Sequence, residues 1–159
     1  MNKHSDLIKT PGQLMRRYAY QFPWPSDHYV FFKGWFDIAV KLCADVDAVL
    51  KDDRHGFEWV QFKEKFGTAR FQYRMGFSEV EPEERTPEQV RVLNEIFKIV
   101  KAAKAESARR CIVCGVPGEL NRDGGYLLTF CEKHAQSRLK NMEPDPYVIP
   151  NVDIEGERG

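Results

Sequence analysis

Three cysteines and a histidine late in the chain constrain the fold more than any other feature, in the pattern Cys111-x2-Cys114-x16-Cys131-x2-His134. A structural zinc ion takes four tetrahedral nitrogen or sulfur ligands, and two short-gap pairs separated by a loop supply them. In a reducing compartment, clustered cysteines are metal ligands more often than disulfides. The flanking residues point the same way. Gly115 lets the backbone turn tightly toward the thiolates. Pro117-Gly118 and Asp123-Gly124-Gly125 are turn signals that bracket residues 119–122 and 126–130 as a short hairpin. Cys131 and His134, three residues apart, then open a helix predicted to run through Leu139. Knuckle, hairpin and ligand-bearing helix follow one another in treble-clef order. The alternatives are a Cys-x2-Cys redox pair, which leaves Cys131 and His134 without a role, or four unrelated residues. A catalytic zinc keeps an open position, so four closely spaced ligands predict structural Zn2+. His4, His28 and His55 have no partners in the sequence, and the fourth cysteine, Cys43, reads as a small buried hydrophobe.

The rest of the chain is read by periodicity. Thr10-Pro11 starts a helix extending to about Gln21, with Leu14, Tyr18 and Phe22 on one side, and Pro23 and Pro25 end it. Residues 22–33 are aromatic and carry two prolines, which predicts an ordered loop. From Gly34 to Lys51, Trp35, Ile38, Leu42, Val46, Val49 and Leu50 recur at the helical period. Phe57 to Glu64 and Thr68 to Met75 read as two strands around Lys65-Phe66-Gly67, with Gly67 supplying a positive φ. The second alternates, Ala69, Phe71, Tyr73 and Met75 against Arg70, Gln72 and Arg74. The first is apolar on both sides, Trp59 on one and Val60 and Phe62 on the other. Thr86-Pro87 opens a long helix to about Ala108, with Leu93, Ile96, Phe97, Val100 and Ala103 as its apolar positions.

This predicts an α+β protein: long helices packed on a short antiparallel β-hairpin, with a C-terminal treble-clef-like zinc unit. Its expected parts are an N-terminal helix and aromatic loop (1–33), a helix-hairpin-helix core (34–110), a zinc unit (111–140) and an extended acidic tail (141–159). The tail carries five acidic residues against one arginine.

Composition limits the function classes. Lys+Arg and Asp+Glu both number 24, so the formal charge is zero, unlike the basic excess of a nucleic-acid coat protein. Hydrophobic residues make up 42%, enough for a core and too many for a disordered chain. No run approaches a membrane span, and residues 1–10 lack a signal-peptide core, so a cytoplasmic protein is expected.

Two pieces carry a resemblance. Gln61-Phe62-Lys63-Glu64-Lys65-Phe66-Gly67-Thr68-Ala69-Arg70-Phe71 resembles the EKFGTLRFY-like hairpin of small phage and prophage proteins. In those proteins a helical segment and a Cys-x2-Cys-Gly-x-Pro-Gly…Cys-x2-His unit follow, as they do here from Ala105 to His134. The resemblance covers roughly residues 34–134, with Ala69 and Gln72 standing where the family tends to have leucine and tyrosine. It implies a phage-type genome, a bacterial host cytoplasm and a zinc site, and no particular reaction.

Three functions follow as expectations. The first is a non-catalytic protein-binding module on a host or defence complex, anti-CRISPR-like or a host-takeover factor. Its candidate anchors are Phe22, Trp24, Tyr29, Phe31 and Phe32, although aromatics of this kind also serve as plain core or loop packing. The second is nucleic-acid binding through Lys63, Lys65, Arg70 and Arg74 on the hairpin and Lys98, Lys101, Lys104, Arg109 and Arg110 along the second long helix and its exit. Residues 91–110 carry a local basic excess of four, which a solvated, ion-paired helix face would also produce. The third, an enzyme, is disfavoured. Metal nucleases on such scaffolds need a general-base histidine near the hairpin, and here the only one is the ligand His134. No phosphate loop, nucleophile elbow or HExxH motif occurs either.

Overall fold

Capping chemistry sets the helix starts. Thr10 Oγ1 accepts the Gln13 N–H at 3.2 Å while Gln13 Oε1 accepts the Thr10 N–H at 3.3 Å. Thr86 and Gln89 repeat the arrangement at 3.1 and 2.9 Å. Each box satisfies orphan donors at both ends of the first turn, with a proline inside it. The computed structural model describes residues 7–123, 125–138 and 144–150. Over these the chain is α+β, with α1 at Pro11–Arg17, α2 at Phe36–Leu50 and α3 at Pro87–Ser107. An antiparallel hairpin of β1 (Glu58–Lys65) and β2 (Thr68–Arg74) lies between α2 and α3. A smaller hairpin of β3 (Glu119–Asn121) and β4 (Leu128–Phe130) leads to α4 (Glu132–Gln136). No helix among the described residues is long and apolar enough to cross a membrane.

α1 is shorter than its pattern predicts. Tyr18 leaves the helical region, and a 3-10 turn over Ala19–Gln21 re-aims Gln21 into the interior. There its amide accepts the Trp59 indole N–H at 2.9 Å and donates to the Cys43 carbonyl at 3.1 Å, so a fully buried polar group is satisfied.

The first strand carries a correction as well. Trp59 pairs with Tyr73 and Phe62 with Phe71, with one extra residue, Val60, between them. This β-bulge resets the alternation. Trp59 and Phe62 therefore face the same side, both buried, rather than opposite sides. The strand is apolar on one face and merely bulged. Lys65 pairs with Thr68 across a two-residue turn in which Phe66 (φ 53°) and Gly67 (φ 84°) are both left-handed, as a primed hairpin turn requires.

Tyr29, Phe31 and Phe32 are core residues, not interface anchors, with exposures of 1, 3 and 5%. The reason is backbone pairing. Tyr29 bridges Phe62 in parallel, the Val30 N–H donates to the Phe62 carbonyl at 2.9 Å, and the Tyr29 hydroxyl donates to the Trp59 carbonyl at 2.7 Å. The segment thus lies along β1 and its rings pack edge-to-face on Phe62. Phe22 is half-buried against the same rings, and only Trp24 stays substantially exposed, stacked on His28.

On α3, Val92 and Ile96 are buried, whereas Phe97 is 60% exposed. Leu93, Ile96, Val100 and Ala103 lie against the core as their spacing predicts, joined by Val92 and Ile99, and Phe97 alone of the expected positions turns outward. Two apolar clusters result. The larger joins α1, α2, α3 and the apolar face of the first hairpin, and the smaller gathers Phe32, Trp35, Ala69, Ile112, Leu128 and Phe130 around Cys111 and Cys131.

Part of the segment expected as an extended tail folds back. Val148 bridges Phe32, the Ile149 N–H donates to the Phe31 carbonyl at 2.8 Å, and the Tyr147 ring meets Phe130 edge-on at 5.5 Å. Residues 141–143 and 151–159 lie outside the described residues, as does Leu139, the predicted end of the last helix, whose regular part stops at Gln136.

Candidate metal centre

The knuckle is built from backbone hydrogen bonds. The Gly115 N–H donates to the Cys111 carbonyl and the Cys111 N–H to the Val116 carbonyl, both at 2.8 Å, with Gly115 at φ 79°. The Ile112 N–H donates to the Thr129 carbonyl at 2.9 Å and the Gly118 N–H to the Arg109 carbonyl at 2.8 Å. These bonds fasten the knuckle to β4 on one side and to the exit of α3 on the other. Cys131 caps α4 and His134 sits in its first turn, so both side chains project toward the knuckle.

The four donor atoms of Cys111, Cys114, Cys131 and His134 lie within 4.8 Å of one another. His134 Nδ1 is 3.1 Å from Cys131 Sγ and 3.4 Å from Cys111 Sγ, and Cys114 Sγ is 3.9 Å from Cys131 Sγ. A tetrahedron with metal–sulfur bonds of about 2.3 Å has edges of about 3.8 Å, so this donor set fits a metal ion. The three cysteines of the cluster are free thiols. The His134 backbone N–H, above all, holds the Cys131 thiol below its ordinary pKa, favouring the thiolate that metal binding needs. Cys111 and Cys131 are buried, His134 is half-buried, and Cys114 is exposed. Cys43, fully buried on the core side of α2, has its thiol pKa pushed up by burial and stands apart from the cluster.

Several residues that place the site left no motif in the sequence. Gly34, just before α2, donates to the Ile112 carbonyl at 2.8 Å, and a Cβ there would overlap the Cys111 carbonyl oxygen. The Trp35 indole donates to the Arg110 carbonyl at 2.9 Å. Thr129 Oγ1 donates to the Gly67 carbonyl at 2.7 Å, tying the small hairpin to the tip of the large one. The buried Ser107 hydroxyl accepts the Ala69 N–H at 2.8 Å and donates to the Lys104 carbonyl at 2.6 Å. Arg138 donates to Asn121 Oδ1 at 2.7 Å and to the Tyr126 carbonyl, spanning the open end of the β3–β4 loop. Close backbone approaches and single buried hydroxyls carry no spacing that a sequence reveals.

The nine basic residues are not gathered into one patch. Lys63 pairs across the ladder with Arg70, and Lys65 and Arg74 share their face, but Arg74 is ion-paired to Glu58. On α3, Lys98 lines the side toward α2, while Lys101 and Lys104 are turned about 60° and 120° from it, toward Phe97. Arg109 and Arg110 both donate to Glu106, at 2.7 and 2.6 Å.

The chain matches no family model, no curated protein and no solved structure.

Proposed function

We propose that the chain is a non-catalytic protein-binding module whose C-terminal unit is organised by one structural zinc ion. The observation that carries this is the closed Cys111–Cys114–Cys131–His134 donor set, lodged where both hairpins and the exit of α3 meet. Three thiolates and one imidazole in tetrahedral array suit zinc. With every coordination position taken by protein, the ion contributes folding energy and offers no open position to a substrate. The phage-type resemblance directs the partner search to a bacterial host or defence-system protein in the cytoplasm. Of the aromatic anchors considered, Trp24 alone keeps enough exposure to serve.

Binding of nucleic acid is the second reading, favoured by Lys63, Lys65 and Arg70 on one hairpin face. Against it stand the zero net charge and the pairing of Arg74, on that same face, with Glu58.

The test is capture from bacterial host lysate by the zinc-loaded chain, with and without nuclease. A discrete protein that survives nuclease supports the binding module. Recovery of nucleic acid alone, lost at higher salt and lost in Lys63→Glu/Arg70→Glu, establishes the second reading instead.

A further inference from the structure

We infer that the trough between α2 and α3 is the docking surface for an acidic amphipathic helix of the partner, an inference that rests on the protein-binding reading above. The trough encloses about 770 Å³ and runs along α3 from Lys98 to Arg109 and Arg110, ending at Cys114 and Gly115 of the knuckle. At 1.5 Å per residue its helical stretch, residues 98–107, is about 14 Å, so with the exit turn it accommodates about three turns of helix. A compact metabolite would fill only part of such a length.

The floor is apolar: Ile38 comes from α2 and Ile99 and Ala103 from α3, over the buried Leu42. Ala102 and Ala103 keep the α3 wall low, so another helix can approach closely, as small residues permit. An occupant with apolar side chains at i, i+4 and i+7 would lay them on this floor.

The walls differ in charge, and this selects the occupant. Along α2 and the turn before it the signs alternate every four residues, Lys33, Asp37, Lys41 and Asp45, and Lys41 is paired with Asp45. That wall is neutral. On the α3 side Glu106 is shared by two guanidiniums, which leaves one positive charge over, and Lys98 reaches Glu95 only at 4.0 Å. That wall is positive. A helix with an apolar stripe and carboxylates along the edge facing α3 complements both, whereas a phosphate backbone would meet Asp37 and Asp45 on the opposite wall.

The test selects peptides of about fifteen residues from a displayed random library, long enough to span the trough, on the zinc-loaded full-length chain. Selected peptides are expected to carry an i, i+4, i+7 apolar stripe flanked by Glu or Asp. Their binding is expected to fall at least tenfold in Lys98→Glu/Arg109→Glu and in Ala102→Trp, which fills the floor from an exposed position. Unchanged zinc content and circular dichroism certify that both variants are folded. Selected peptides that are basic or lack the stripe overturn the proposal, as does binding indifferent to both variants. So does failure to select any peptide, whether or not duplex DNA binds through the same cations. Ala102→Trp also separates the two levels of the account. If a lysate partner binds this variant as well as wild type, the trough is wrong and the binding module stands. If no protein partner is captured at all, both fall.

Discussion

At the scale of single residues, the account depends on positions that look unremarkable in the sequence. Gly34 has no side chain because the Cys111 carbonyl occupies the space a Cβ needs, and the clash is with backbone that the metal site itself holds. Gly34→Ala is predicted to cost about 3 kcal/mol or more, beyond ordinary overpacking, read as a lowered urea midpoint together with weakened metal retention. A midpoint equal to wild type would show that α2 and the knuckle do not touch as described. Gln21→Leu leaves the buried Trp59 indole N–H unpaired and is predicted to cost about 2 kcal/mol. Tyr29 gives a pH signature. Burial pushes its phenol up to about 12, while in the unfolded chain it ionises near pH 10. Between about pH 10 and 12 the folded state holds a proton that the unfolded state has released, so stability falls as pH rises through that window. Tyr29→Phe is predicted to make this alkaline decline shallower, and an unaltered slope in pH-dependent denaturation contradicts the assignment.

At the scale of elements, the periodic segments were legible and their exceptions were not. The Thr-Pro starts at Thr10 and Thr86 and the three-four spacing of α2 reveal their helices, because those signals are local. The Val60 bulge was hidden, since nothing in the sequence separates a strand buried on both faces from a one-sided strand with an inserted residue. The early end of α1 follows from a tertiary demand, the seating of Gln21 beneath Trp59. For Tyr29, Phe31 and Phe32 the sequence left anchor and core packing both open, because only the pairing of residues 29–30 with β1 decides for the core. Two hydroxyls join the elements. Thr129→Val removes the donor to the Gly67 carbonyl, and Ser107→Ala removes the acceptor of the Ala69 N–H. Each is predicted to cost about 1–3 kcal/mol while leaving metal stoichiometry unchanged. Thermal denaturation with metal analysis on the same samples checks this, and loss of metal without loss of stability contradicts it.

At the scale of the whole molecule, the smaller apolar cluster is the place where the chain's end is built onto its middle. Phe32 and Trp35 precede α2, Ala69 comes from the first hairpin, and Ile112, Leu128 and Phe130 surround the ligand cysteines. The Cys3His cluster was the most legible part of the protein, because metal-ligating chemistry requires particular residue types at particular spacings. Its docking on the hairpin tip was not, because that depends on one hydroxyl and on backbone contacts. Cys111→Ser and Cys131→Ser are predicted to yield poorly soluble protein, since β3, β4 and α4 are too short to hold together without the ion. The most direct measurement is hydrogen exchange on the zinc-loaded chain before and after chelation. One zinc per chain is predicted, and its removal should abolish protection across residues 111–138 and at the Phe66–Ala69 turn, while the α2–α3 core stays protected. A chain that purifies without metal, or one whose protection over residues 111–138 survives chelation, would contradict the claim that a metal ion holds this fold together.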